Sequence, residues 1–520
     1  MDNIEQLEHF VAVGLALAKQ ADSAQLLEQI LQSAQQISAA EGGTIYRCDG
    51  TELTFATLIN HRLGLHQGGT SNVSPDQQPI PLQFDGQANT TAVVAMAANQ
   101  KHPIVIDDVY QSTLVNQQKA RQFDQQMGYR TQSMFTVPLL DHQMDVVGVL
   151  QLINCLDTAG RVQAFPVAVQ RQVIALASLA AMVMTNKQLV QDLENLFGAL
   201  SRLLAKAIDE KSPYTGGHCR RVPELTMMLA EACNQVTTGP LADFTMTAAD
   251  KHELSVAGWL HDCGKIATPE YVMDKATKLH GLHDNIELVA ARFEIAARDI
   301  ELNTQLDATG KTQQLAKLRD DLSFLQQANI GGEYMSQALQ QRVCDIAQRY
   351  QIRIADKLQP VLTPEEVTNL CVARGTLNDD ERRIINRHID ITIEMLESLP
   401  FPKHLKNVPE YAGGHHEKMD GTGYPRGLKK EQMSVQARIM AIADVFEALT
   451  ASDRPYKKAK TLTESLRILG FMARDQHIDA DLFRVFLEQK VYMQFAQQFL
   501  SPEQIDEVDI SQIPGWQAPH

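Results

Sequence analysis

Basic charge is in short supply in this chain of 520 residues: 47 Lys and Arg stand against 63 Asp and Glu, a net charge of −16. That balance argues against a main role in coating nucleic acid or an anionic membrane surface. Cysteine is scarce too. The seven (Cys48, Cys155, Cys219, Cys233, Cys263, Cys344, Cys371) are odd in number and form no C-x-x-C pair, so they read as reduced thiols of a cytoplasmic protein. The longest apolar run, residues 173–184, falls short of the ~20 residues a membrane-spanning helix needs. Asp2, Glu5 and Glu8, not a basic leader, precede the apolar stretch at 10–18, so no secretory signal is expected. There is no basic stripe interleaved with aromatics, which disfavours a strand-binding groove. What is left is an ordinary globular composition, 44% hydrophobic and 21% charged, with length for three or four domains at about 150 residues each.

Residues 1–185 alternate helical and extended patterns. A helical stripe of Leu26, Leu27, Ile30 and Leu31 leads into an extended run at 44–47. A Cys48-Asp49-Gly50 turn then passes to a second run around Leu53-Thr54-Phe55. Further extended runs at 103–106, 134–139 and 146–153 predict one antiparallel sheet carrying helices. The segment Gly128-Tyr129-Arg130-Thr131, the run from Ser133 to Leu139 and the strand at 147–154 together resemble the GAF domain, a small-molecule sensor module. Asn154 and Phe165 fit the pattern of its cyclic-nucleotide-binding members. Cys155 stands in place of their lysine, and Val169-Gln170 in place of their acidic pair. A sensor and a ligand-free dimerisation scaffold both stay open.

Leu189, Leu193, Leu196, Leu200 and Leu203 are spaced four, three, four and three. This is the a/d seam of a short parallel coiled coil over 186–205, or else one face of a helix packed on its own domain. Its place between two domains favours a dimer-forming signalling helix. Residues 206–500 read as mainly α-helical, with an insertion at 279–375. There the stripes Ile286, Val289, Phe293, Ala296, Ile300 and Leu315, Leu318, Leu322, Leu325 flank Asp307-Ala308-Thr309-Gly310, predicting an antiparallel helical hairpin. Residues 501–520 read as a loosely ordered tail. The expected fold class is multidomain, an α+β domain followed by an all-α one.

The chemistry concentrates in the helical half. His261-Asp262 follows the apolar residues 256–260 and precedes Cys263-Gly264-Lys265. The same dipeptide at 283–284 lacks such a setting. His218, His388, His415, His416 and Asp444 keep it company, and Asp444 lies inside the apolar run 439–446. A carboxylate there is costly unless a cation or hydrogen bonds compensate it. Five histidines and two aspartates suit iron, manganese, nickel or zinc better than calcium. Two such metals ~3.5–4 Å apart activate water and stabilise in-line displacement at phosphorus.

The run His415-His416-Glu417-Lys418-Met419-Asp420-Gly421-Thr422-Gly423-Tyr424-Pro425 resembles the signature of the HD-GYP phosphodiesterases, a branch of the HD hydrolase superfamily. Residues 261–266, 444–450 and 452–457 extend the resemblance over about 206–278 and 376–470. It implies that His218, His261, Asp262 and Asp444 hold one metal and His388, His415 and His416 a second, with Asp262 bridging. Iron or manganese is the expected pair. Lys265 would meet the scissile phosphate, making Asp262 and Lys265 the catalytic residues. Arg454 and Lys457 would grip the substrate's phosphates. Tyr424 belongs to a loop associated with substrate shape and with partners such as GGDEF-domain proteins, in which Gly421 and Pro425 serve structure first. Tyr214 occupies the place of the glutamate that binds a third metal in some members, so two metals are expected.

The implied activity is hydrolysis of cyclic di-GMP to pGpG or on to GMP, in a cytoplasmic homodimer whose GAF domain modulates turnover. The alternatives are 3′,3′-cyclic GMP-AMP as substrate and an adaptor that binds the dinucleotide without turnover. An HD-type hydrolase of (p)ppGpp or nucleoside phosphates is disfavoured by the His-His-Glu and Gly-Tyr-Pro block.

Overall fold

Extended runs rich in apolar and β-branched residues build the first part of the molecule around a single sheet. In the computed structural model the described residues are 22–212, 217–332, 334–355, 357–452 and 459–516. The chain divides into two units, Met1–Leu196 and Phe197–His520. In the first, β1 (Ala40–Cys48), β2 (Glu52–Asn60), β3 (Leu65–Gly68), β4 (Ile80–Pro81), β5 (Ile104–Ile106), β6 (Met134–Leu140), β7 (Val146–Leu156) and β8 (Val162–Gln163) form one sheet. Its order is β3-β2-β1-β7-β6-β5, with β4 on β2 and β8 on β7, and the pairings are antiparallel. All five extended runs expected from the sequence lie in β1, β2, β5, β6 and β7.

Register decides which face each side chain meets. Ile45 and Leu150, opposite each other in β1 and β7, lie under α1 (Ser23–Ser38), whose Leu26, Leu27, Ile30 and Leu31 share their core. Tyr46 and Val149 point the other way, onto Val94, Ala95 and Ala98 of α2 (Val93–Gln100). Asp22 caps α1 by accepting from the Ala24 N–H at 2.6 Å. A third helix, α3 (Gln117–Met127), lies between β5 and β6 in the chain.

The helix expected at 186–205 belongs to a longer one, α4 (Val167–Lys211, 45 residues). Residues 173–184 are apolar nearly all round, which hid the helical period. Val173, Leu176, Ala177, Ala180 and Ala181 of α4 belong to the core beneath α1. By length and composition α4 is apolar enough to cross a membrane, with a mean hydropathy of 1.6 over its most apolar window, yet those five residues are buried in protein. Leu189, Leu193, Leu196, Leu200 and Leu203 are between 48% and 66% exposed. That overturns the reading in which this face packs on its own domain.

The second unit is built from α5 (His218–Asn234), α6 (Ala248–Leu260), α7 (Ile286–Leu302), α8 (Ala308–Ile330), α9 (Gln337–Arg349), α10 (Pro364–Leu370), α11 (Asp379–Glu397), α12 (Val408–Gly413), α13 (Val435–Thr450), α14 (Leu462–Arg474), α15 (Ala480–Glu488) and α16 (Val491–Phe499). α7 and α8 are the expected helical pair. The insertion also holds α9, the hairpin β9 (Gln351–Ile354) and β10 (Lys357–Pro360), and α10. Val289, Phe293, Leu318, Leu325, Val343, Ile346, Ile352 and Leu370 close these elements around a core of their own, so the insertion is more than a hairpin. The expected loose tail is also corrected. Ile513 is buried, and the Gln504 amide donates to the Thr450 and Lys460 carbonyls at 2.8 and 3.1 Å. Apolar anchors such as Ile505, Val508 and Trp516 fix this segment on the helical core.

Candidate metal centre

Helix ends and the middles of two helices deliver the candidate side chains to one place. His218 is the first residue of α5, His261 caps the C-terminus of α6, and Asp262 leads into the 3-10 turn Cys263–Ala267 that carries Lys265. α11 supplies His388, the chain after α12 supplies His415 and His416, and α13 supplies Asp444. Two close approaches make this convergence possible. A methyl at Gly258 would press on Pro223 of α5, and one at Gly264 would overlap the His388 carbonyl and Thr392 of α11. The Gly264 N–H also donates to Thr392 Oγ1 at 2.9 Å, tying the turn to α11.

The donors form two triads, His218, His261 and Asp262, and His388, His415 and His416, in each of which the donor atoms lie within 4.8 Å of one another. Asp262 joins them. Its Oδ2 is 3.1 Å from His218 Nε2 and 3.2 Å from His261 Nε2, while its Oδ1 is 3.3 Å from His388 Nε2. Asp444 Oδ1 lies 3.4 Å from His218 Nε2, and His416 Nε2 lies 3.2 Å from His388 Nε2. The Nδ1–H groups of His261 and His415 donate to the carbonyls of Gly258 and Ala412 at 2.7 and 2.6 Å, and that of His388 to Ile385. Each bond fixes the tautomer that turns a bare Nε2 inward. His261 Nε2, His415 Nε2 and Asp262 Oδ1 are buried with no hydrogen-bond partner. Orphaned acceptors of this kind, on imidazoles and a carboxylate, fit a divalent cation.

The electrostatics divide the cluster. Burial, reinforced by neighbouring imidazoles, pushes His415 down to about 4 and His416 well below its ordinary value. Burial also opposes charge on Asp262, yet Lys265 and the adjacent histidines hold its carboxyl far below the carboxylate range. Against burial again, Glu447 and Asp262 hold His218 up to about 10. Lys265 Nζ donates to Asp262 Oδ2 at 2.5 Å, and the Asp262 and Asp444 carboxylates keep it cationic. The Tyr424 ring stacks on His416 with centroids 4.9 Å apart and planes at 20°.

All seven expected ligands, Lys265 and Tyr424 thus meet. Arg454, Lys457 and Tyr214 lie outside the described residues. Sequence reasoning missed the supports. Glu417 is buried and accepts from the Arg426 and Leu428 N–H groups at 2.7 and 2.9 Å, folding the Gly-Tyr-Pro loop back. Lys211, the last residue of α4, donates to the Ile266 and Thr268 carbonyls at 2.6 Å each and holds the Lys265 turn. Glu447 accepts from His218. Its only signal was a second acid one helical turn after Asp444.

Residues 22–208 match the family model of the GAF domain and residues 313–482 that of the HD domain. The second match includes His388, His415, His416 and Asp444 and begins after His218, His261 and Asp262. Among curated relatives, the chain is 38% identical over 125 residues to "3'3'-cGAMP-specific phosphodiesterase 1" of Vibrio cholerae serotype O1, covering 24% of this chain and 27% of the relative. It is 40% identical over 114 residues to a cyclic di-GMP phosphodiesterase of Pseudomonas aeruginosa, covering 22% and 26%. The chain thus spans about a quarter of the length of these relatives. The solved GAF domain of an Acinetobacter phosphoenolpyruvate-protein phosphotransferase aligns at 13% identity over 37% of this chain and 99% of that one, with a TM-score of 0.28.

Proposed function

We propose that this chain, a GAF domain followed by an HD domain of the HD-GYP type, is a phosphodiesterase that hydrolyses cyclic di-GMP with a pair of divalent transition metals. The observation that carries the reading is the convergence of two donor triads, buried but for His416, on Asp262, with the Lys265 ammonium beside it. His218, His261, Asp262 and Asp444 would hold one metal and His388, His415 and His416 the other, with the Asp262 carboxylate reaching side chains of both triads. When bound, the metals supply Lewis-acid activation of water and neutralise charge at phosphorus. Iron or manganese is the proposed pair, and nickel and zinc suit the same donors. Lys265 sets a fixed positive charge against the scissile phosphate, where charge develops on displacement. Arg454 and Lys457 grip the substrate's phosphates, and Tyr424 meets the dinucleotide beside His416. The product is pGpG, or GMP when the second diester is also cut.

A second reading, hydrolysis of 3′,3′-cyclic GMP-AMP, is favoured by the relative named for that substrate. In either case we place the protein in the cytoplasm as a homodimer joined through the exposed leucine seam of α4. GGDEF-domain proteins are its proposed partners at the Gly-Tyr-Pro loop. The GAF domain modulates turnover through α4, whose terminal Lys211 grips the turn carrying Lys265.

Metal content and turnover of both dinucleotides, measured on one anaerobically purified sample, test this. Two metals per chain with linear product from cyclic di-GMP are expected. Turnover of cyclic GMP-AMP alone favours the second reading. Two metals without turnover of either dinucleotide leave a binding adaptor, and no metal after reconstitution overturns the site.

A further inference from the structure

We infer that Glu447 is a positioning residue: it holds the His218 imidazole in its metal-binding orientation and makes this one ligand of the first triad depend on a side chain rather than on backbone. The inference rests on the two-metal reading above and deepens it.

The support under the histidines is unequal. His261, His388 and His415 each lean Nδ1–H on the carbonyl of the residue three positions earlier, Gly258, Ile385 and Ala412. Such a carbonyl survives any side-chain substitution. His218 opens α5, so no earlier turn of that helix offers it a carbonyl. Its Nδ1–H donates instead to Glu447 Oε2 at 2.5 Å, across to α13. The other carboxylate oxygen is engaged too, accepting from Arg221 Nε at 2.6 Å. Arg221 is three residues after His218 on the same helix, so one carboxylate is pinned by two side chains of α5. Glu447 is 1% exposed, and at that depth a carboxylate is strongly disfavoured without such partners.

The spacing on α13 gives the arrangement its chemistry. Asp444 and Glu447 are one helical turn apart and share a face. Asp444 Oδ1 lies 3.4 Å from Nε2 of His218, and Glu447 takes Nδ1 of the same ring. One edge of the imidazole is therefore presented to the centre, and the other is fastened to the same helix. A carboxylate on Nδ1–H fixes the tautomer, sets the ring plane and strengthens Nε2 as a donor, effects worth about 10–100-fold in metal affinity. Glu447 spends its two carboxylate oxygens on two side chains of α5, His218 and Arg221, so its influence falls on the metal that His218 would hold.

The test is the affinity of the full-length protein for Mn²⁺, by competition with a chromogenic chelator. Wild type, Glu447→Gln and His218→Ala are compared, alongside the melting temperature of each metal-free protein. Glu447→Gln is expected to weaken one Mn²⁺ by about 10–100-fold and leave the other unchanged. Added to His218→Ala, it should cost little more, because both changes act on the same ring. Equal affinity of Glu447→Gln and wild type at both sites overturns the inference. So does equal weakening of both ions, which would make Glu447 a support of the fold. If Glu447→Gln fails to fold, Arg221→Gln, which unpins the same carboxylate, must give a one-sided loss; an unchanged Arg221→Gln protein overturns the inference. A wild-type protein that binds no Mn²⁺ overturns the two-metal reading and this inference with it, an outcome distinct from a failure at Glu447 alone.

Discussion

Each half of the chain buries a polar cluster, and the two are finished differently. In the GAF half, the Glu41 carboxylate accepts from Tyr129 Oη at 2.9 Å, Asn154 Nδ2 at 2.8 Å and Arg62 Nη1 at 3.1 Å. Asn154 Oδ1 in turn accepts from the Gln132 N–H at 2.7 Å. In the helical half, His261 Nε2, His415 Nε2 and Asp262 Oδ1 are more deeply buried and have no hydrogen-bond partner. Leaving a buried polar group unanswered costs about 1–3 kcal/mol. The first cluster is complete within the protein; the second is complete only with something from outside. Single unpartnered atoms such as Gln35 Oε1 and Thr57 Oγ1 occur in the GAF half too, so it is the clustering of three such atoms on metal-ligating residue types that marks the centre.

The sharpest way to break this contrast is at Asp262, where both triads meet. Asp262→Ala is expected to lower turnover on the order of 10⁴-fold and to reduce the metal bound per chain, both read on the same purified protein. Chelation comes next. Stripping the metals should lower the melting temperature of the helical half, since a ligand at a thousand times its dissociation constant contributes about 4 kcal/mol. The GAF half should melt unchanged, and calorimetry of the full chain separates the two transitions.

Glu41 probes the complete cluster, with a smaller effect. Burial works against its charge, but Asn154, Tyr129 and Arg62 lower its pKa from the ordinary value. A depressed carboxyl contributes stability that is present above its unfolded value and lost as pH falls through the folded one. Urea melts at pH 7 should place Glu41→Gln about 1–3 kcal/mol below wild type. The gap should narrow as the pH drops below the carboxylate range, with metal content untouched throughout. Smallest of all is Arg62→Ala, expected to cost about 0–1 kcal/mol, because the Arg62 side chain is 67% exposed.

Legibility followed the same division. The strands β6 and β7 could be read because they are nearly unbroken apolar runs rich in β-branched residues, and the His-Asp and His-His pairs because the residue types themselves carry the chemistry. β3 and β4 escaped notice, being short and drawn from mixed polar sequence. The start of α4 was lost in a run too uniformly apolar to show a period. Asn154 was singled out as a ligand-site match, yet the structure spends its amide on Glu41, Tyr129 and the Arg130 carbonyl. Glu447 sits in an apolar helix among residues that read as core, and only a contact 229 positions away, with His218, gives it meaning. Partners that distant in sequence leave no local pattern to read.

Gly264 has a consequence for how the centre tolerates change. Its missing side chain lets the Lys265 turn lie directly on α11, against the His388 carbonyl and Thr392. The distance between the two triads is thus a shim of zero thickness. Adding one methyl at position 264 alters no donor, yet it would wedge the turn from the helix and move Asp262 away from His388. The gauge of the centre is set by an atom that is not there.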